Sequence, residues 1–115
     1  HDAARPLVTV ELVRRCVDAL EGADGVIAAI PVTDTVKEVE NGLVVRTPDR
    51  GRLWAAQTPQ VFRAEALRGA AGEATDDATL VEAMGGRVRI VEGMRENFKV
   101  TTPLDARVAE MLLAD

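Results

Sequence analysis

Glu96-Asn97-Phe98-Lys99-Val100-Thr101-Thr102-Pro103-Leu104-Asp105 is the stretch on which the reading of this chain turns. Phe98, Lys99 and Val100 have the composition of a short strand. Thr102 reads as a helix N-cap, Pro103 suits the first helical position, where its missing N–H is no loss, and Asp105 puts a carboxylate in the first turn. The stretch therefore predicts a lysine held at a strand end, just before a helix N-terminus. In open α/β sheets, ligands gather outside the carboxyl ends of strands, where helix N-termini offer unpaired N–H groups and partial positive charge to phosphates. Lys99 is the first candidate for a group that touches an anion. A solvated strand-end lysine is the other reading of the same residues.

Upstream, the pattern alternates between helix and strand. His1 to Pro6 reads as a strand end entering a loop. Thr9 caps a helix whose Leu12, Val13, Cys16, Val17 and Leu20 form an apolar stripe at helical spacing, expected to be core. After the turn at residues 21–25, the continuous apolar run Val26 to Ile30, ended by Pro31, suits a strand covered on both faces, as in a parallel sheet. Val36 to Val45 then alternates around Asn41-Gly42, a strong hairpin signal. Pro48-Asp49-Arg50-Gly51 is a turn, and Leu53 to Gln57 returns as a strand. Residues 32–57 are thus expected to form a β-arm, whose apolar face needs cover from the parent domain or another subunit. Thr58-Pro59-Gln60 leads to a helix over 63–71. Thr75 caps the next helix, with Asp76 and Asp77 in its first turn, and Gly85-Gly86 ends it. Residues 87–91 and 98–100 read as strands, and the last helix places Leu104, Val108, Met111 and Leu112 on one face.

The totals set bounds. A chain of 115 residues with 47% apolar and 29% charged residues supports one core and one α/β domain spanning 1–115, and no apolar run is long enough to span a membrane. A net charge of −5 excludes general nucleic-acid binding, which relies on Lys and Arg displacing counterions, and Trp54, Phe62 and Phe98 are too few to stack single strands. The lone Cys16 supports neither a disulfide scaffold nor a zinc site; it reads as buried filler in a reducing, cytoplasmic compartment. The abrupt start at His1, with no methionine, suggests a piece of a longer protein.

Without serine, and with its single histidine at residue 1, the chain offers no Ser-His-Asp triad and no Cys/His metal cluster. The polar candidates are Asp2, Arg5, Thr35, Arg50, Thr58, Thr75 and Lys99. A few cations, several hydroxyls and one carboxylate suit a phosphorylated polyol with a Mg²⁺ ion. They suit phosphoryl or nucleotidyl transfer, which works mainly by positioning and charge stabilisation. Each candidate has a plainer reading. Asp2 could simply cap its loop, Arg5 could form a surface ion pair, and Arg50 could face solvent from its turn. Thr35 and Thr58 could be ordinary hydroxyls, and Thr75 an N-cap.

Five blocks in order, HDAARP, AAIPVTDTVK, LWAAQTPQVF, ATDDATLVEAMGG and VEGMRENFKVTTPLD, resemble the C-terminal half of the 2-C-methyl-D-erythritol 4-phosphate cytidylyltransferase family. The resemblance implies a Rossmann-like nucleotidyltransferase sheet with helices on both faces, Mg²⁺ dependence and a homodimer locked by β-arms. It also implies transfer of CMP from CTP to methylerythritol phosphate with release of pyrophosphate, in non-mevalonate isoprenoid biosynthesis. By the same resemblance Asp2 is a ligand near the metal and substrate hydroxyls, with Ala3 and Arg5 beside it. Lys99 and Arg50 position the methylerythritol phosphate, Arg50 reaching the other subunit's site, while Thr35, Thr58 and Thr75 line the pocket. Members of the family are roughly twice as long, and the front half, with the Gly-rich CTP loop, has no counterpart here. The isolated chain is therefore expected to be close to inactive. Ribitol-5-phosphate cytidylyltransferases share HDAARP and the lysine of KVTTP, and a non-catalytic dimerisation or sugar-phosphate-binding module is the reading from a different class.

Overall fold

A computed structural model describes residues 1–69, 77–83 and 85–114 of the chain. The N-cap at Thr9 forms as its chemistry requires: the residue is extended, and its hydroxyl accepts from the Leu12 N–H at 3.1 Å, starting helix α1 (Val10–Asp18). Of its apolar stripe, Leu12 and Cys16 are fully buried, whereas Val13 and Val17 stay 38% and 52% exposed. This corrects the expectation that the whole stripe is core. Leu12 and Cys16 form one i, i+4 row, and the Val13/Val17 row is rotated by a full residue step of about 100°. Only the first row meets the sheet.

That row packs on strand β1 (Gly25–Pro31), where Leu12, Cys16, Val26 and Ala28 form the core, flanked by Ala19, Leu20, Val61 and Val91. β1 is the central strand of three. It pairs parallel with β5 (Val88–Glu92) and antiparallel with β4 (Trp54–Phe62), so the sheet is mixed rather than parallel throughout. Between β1 and β4 lie β2 (Glu38–Glu40) and β3 (Leu43–Arg46), a separate two-stranded hairpin. Asn41 and Gly42 have φ of +51° and +77°, the left-handed pair that a tight hairpin turn requires. β4 is longer than its sequence reading. Its first residues, Trp54 to Ala56, pair with Pro31 to Ala29 of the main sheet, so the last strand expected of the arm over 32–57 belongs to the domain instead.

β4 continues through Thr58-Pro59, expected to lead out of the strand, by way of an irregularity. Ile27 faces Gln60 and Ala29 faces Ala56, leaving Gln57, Thr58 and Pro59 opposite Ala28 alone. Pro59 has no N–H to give a ladder, and bulges of this kind turn backbone groups away from their neighbours. Helices α2 (Ala64–Gly69) and α3 (Asp77–Ala83) follow; α3 packs against β1 and β5 with Ala78 and Val81 buried. The Thr75 cap and the ends of these helices at residues 70–76 lie outside the described residues.

Residues 98–100 are not a strand. They belong to the loop that leaves β5, and a backbone hydrogen bond from the Val100 N–H to the Ala4 carbonyl at 2.8 Å helps to tie that loop to the N-terminal segment. The cap beyond it is as expected. The Thr102 hydroxyl accepts from the Asp105 N–H at 3.1 Å, and the Asp105 carboxylate accepts from the Thr102 N–H at 3.0 Å, with Pro103 opening helix α4 (Pro103–Leu113). On α4, Ala109 is the buried residue while Leu104 and Met111 are exposed, so the apolar face drawn from the sequence is not buried.

The Asp105 carboxyl is held below its ordinary value of 3.8, first by the Thr101 N–H and then by the Thr101 and Thr102 groups around it. A depressed carboxyl adds stability that is complete above the unfolded value and lost as pH falls through the folded one. Thermal midpoints should therefore drop as pH is taken below 3.8, and Asp105→Asn should flatten that drop. An unchanged slope in the variant would remove Asp105 from the acid response.

Candidate anion and substrate site

Three segments meet beside the carboxyl end of β5: the N-terminal loop 1–5, the bulge of β4 and the loop 93–102. The Asp2 N–H donates to the Thr58 hydroxyl at 3.0 Å, and that hydroxyl lies 2.8 Å from His1 Nδ1. His1 Nε2 is 3.0 Å from the Arg5 carbonyl, which can only accept. The neutral tautomer with the proton on Nε2 satisfies both contacts, the Thr58 hydroxyl donating to Nδ1. Asp2 Oδ1 accepts from the Ala4 N–H at 2.9 Å, and the Arg5 N–H closes the turn onto the Asp2 carbonyl at 3.0 Å.

Across from this turn stands Lys99, its Nζ 3.7 Å from Asp2 Oδ2, an ion pair too long for a direct hydrogen bond. The Asp2 carboxyl is held below 3.8, first by the Ala4 N–H and then by the charges of Lys99 and Arg5. Both members of the pair stay partly exposed, and Lys99 keeps an open side toward solvent. Arg5 passes behind: its Nη1 donates to the Asn97 carbonyl at 2.9 Å. Ala3 sits exposed at the tip of the turn.

The structure thus brings together Asp2, Ala3, Arg5, Thr58 and Lys99. It leaves Arg50 and Thr35 elsewhere on this chain. Arg50 lies in the single helical turn Arg50–Arg52, its Nη1 donating to the Thr33 carbonyl at 2.9 Å, and Thr35 is exposed between β1 and β2. Thr75 falls outside the described residues. Sequence reasoning missed Gln57 and Asn97, which are 4% and 0% exposed. Their signal was present as amides inside otherwise strand-like runs, LWAAQ and ENFKV.

As a metal site the arrangement offers one carboxylate, since the described residues contain no group of three or more His, Cys, Asp or Glu able to hold an ion. Mg²⁺ is commonly held by one or two carboxylates, with substrate phosphates and water completing its shell. Asp2 Oδ2 fits such a single-ligand role.

A mixed α/β sheet with a lysine, an arginine and one carboxylate gathered past a strand end puts charged groups where open α/β sheets bind their ligands. The comparison with known families makes this specific. The family model for 2-C-methyl-D-erythritol 4-phosphate cytidylyltransferase (IspD) matches residues 1–115, and the chain belongs to this family. A curated relative of that name from Thermosynechococcus vestitus is 51% identical over 98% of this chain and 52% of its own length. One from Rubrobacter xylanophilus is 51% identical over 99% of this chain and 53% of its own. The crystal structure of the Thermus thermophilus protein superposes with a TM-score of 0.87 at 38% identity, covering all of this chain and 60% of that one. The chain spans about half the length of the curated relatives it matches.

Proposed function

We propose that this chain is the C-terminal, polyol-phosphate side of a cytidylyltransferase that transfers CMP from CTP to 2-C-methyl-D-erythritol 4-phosphate. The observation that carries the reading is the Asp2–Lys99 pair, with Thr58 and Arg5 locked around it, in a chain that the family model matches end to end. A phosphate monoester has its second pKa near 6, so the nucleophile arrives at neutral pH largely as a dianion. One of its oxygens forms the new bond to the α-phosphorus of CTP as the bond to pyrophosphate breaks. No proton need be removed, so a site without a catalytic base is sufficient.

In this mechanism Lys99 holds the incoming phosphate, and the Asp2 carboxylate, ionised throughout the neutral range, receives substrate hydroxyls and a divalent cation. Such an ion, when bound, neutralises phosphate charge. Thr58 sets the position of Asp2. Arg50, Thr35 and Thr75 complete the pocket, Arg50 and Thr35 from the arm of a second subunit in a homodimer. Support for the arm is its apolar surface: Val39, Leu43, Val44 and Val45 are each more than half exposed on a hairpin that shares no ladder with the main sheet. The exposed rows on α1 and α4 are surfaces that the remaining length of the relatives would cover. The site is expected to work in the cytoplasm.

The test is pyrophosphate release, using this chain alone and this chain joined behind the remaining part of the Thermosynechococcus vestitus relative. The composite should turn over CTP with methylerythritol phosphate and be much slower with ribitol 5-phosphate; the chain alone should do neither. A folded composite that binds the polyol phosphate but releases no pyrophosphate would favour the non-catalytic module, and faster turnover of ribitol 5-phosphate would reassign the substrate.

A further inference from the structure

We propose that Asn97 is a positioning residue for the substrate-binding pair Lys99 and Asp2, acting through a buried amide clamp; the inference rests on the cytidylyltransferase reading above. Asn97 is wholly buried and touches every segment that builds the site. Its Nδ2 donates to the Thr58 carbonyl at 2.7 Å and to Gln57 Oε1 at 3.3 Å, both on the β4 bulge. Its own carbonyl accepts from Arg5 of the N-terminal loop at 2.9 Å, and its N–H donates to the Met94 carbonyl at 3.0 Å. Two residues on, Lys99 faces Asp2, and Asp2 in turn donates its N–H to the Thr58 hydroxyl. Asn97 is therefore the point at which the Lys99 loop, the Asp2 turn and the Thr58 bulge are fixed to one another.

The chemistry of the clamp requires an amide. Gln57 Nε2 donates to the Met94 carbonyl at 2.9 Å, which turns Gln57 Oε1 toward Asn97. Asn97 thus faces two oxygen acceptors, and the two hydrogens of its Nδ2 serve both. The close fit of Gln57 is protected by Gly93, where a Cβ would run into Gln57 Oε1. An aspartate has the same shape and no donor. It would set oxygen against oxygen at two points, so the segments would separate without a change in core volume. Asn97 Oδ1, a buried acceptor with no partner among the described residues, adds no anchor that an aspartate in its place could keep. A displacement on the order of 1 Å at a positioning contact is enough to lower productive binding by about tenfold or more.

The experiment compares wild type and Asn97→Asp in the composite enzyme. KM for methylerythritol phosphate should rise about tenfold while KM for CTP stays within about twofold, because the clamp sets only the polyol-phosphate side. Equal shifts in both constants, or a loss of active enzyme with both constants unchanged, would overturn the positioning role. Amide exchange of the same proteins gives a readout that needs no turnover. Exchange at Asp2 and Val100 should quicken while the β1–β5 ladder stays protected; uniform quickening, or none, counts against the clamp even if the cytidylyltransferase reading itself fails. Should Asn97→Asp not fold, Gln57→Leu removes one of the two acceptors and should shift the same KM in the same direction by a smaller factor; no shift would overturn the proposal.

Discussion

Lys99→Ala in the composite enzyme is expected to lower kcat/KM for methylerythritol phosphate by about 10²- to 10³-fold, the usual consequence of removing one preorganised charge-stabilising group. The fold should hardly notice. Lys99 is half exposed, and its pairing with Asp2 at 3.7 Å is of the surface kind, which contributes at most about 1 kcal/mol. The thermal midpoint therefore separates the two explanations of a slow variant: an unchanged midpoint with a collapsed rate assigns the loss to the ligand. Lys99→Arg should recover only part of the rate, because a planar fork cannot occupy the place of a compact ammonium beside Asp2. A loss below about threefold in Lys99→Ala would return this side chain to the role of a solvated loop lysine.

How Lys99 reaches its place shows what the sequence could and could not convey. The helix beyond it was legible because capping is local: Thr102, Pro103 and Asp105 specify their geometry within four residues, and the structure reproduces each contact. The hairpin turn was legible for the same reason, since Asn41 and Gly42 tolerate the left-handed backbone. The strand drawn through Phe98 to Val100 was not, because its composition allows a strand but its partners decide. The carbonyl that the Val100 N–H meets belongs to Ala4, almost the whole chain length away. The β4 bulge is a similar case. Pro59 marks a break in the ladder, but only the register against β1 shows that three residues stand opposite one, freeing the Thr58 carbonyl for Asn97.

Among site residues, Asp2, Thr58 and Lys99 were drawn to the same place by the resemblance and do meet, whereas Gln57 and Asn97 escaped notice because buried amides have no periodic signature. Arg50 and Thr35 mark the other limit. They lie on the arm side of this chain, and among the described residues no contact joins them to Lys99. Under the proposed homodimer their contribution depends on a second copy.

That dependence has a quantitative outcome. If Arg50 of one subunit completes the site built around Lys99 of the other, Arg50→Ala and Lys99→Ala homodimers should each be poor, because every site lacks one group. In a mixed dimer one site receives wild-type Lys99 and wild-type Arg50, and the other receives neither. Random reassortment of equal amounts makes about half of the dimers mixed, with one working site in two, so activity should return to about a quarter of wild type. If instead Arg50 serves the Lys99 of its own chain, both sites of the mixed dimer stay defective and nothing returns. The two arrangements differ by the whole signal, so verified mixed dimers, isolated by two different affinity tags, decide between them. The hairpin supplies an independent handle. Leu43 is 73% exposed at the start of β3, and Leu43→Asp should weaken the dimer without touching Asp2 or Lys99. Under the shared-site arrangement, activity must then follow the dimer fraction as protein concentration is lowered, whereas a site complete within one subunit would keep its specific activity as the dimer dissociates.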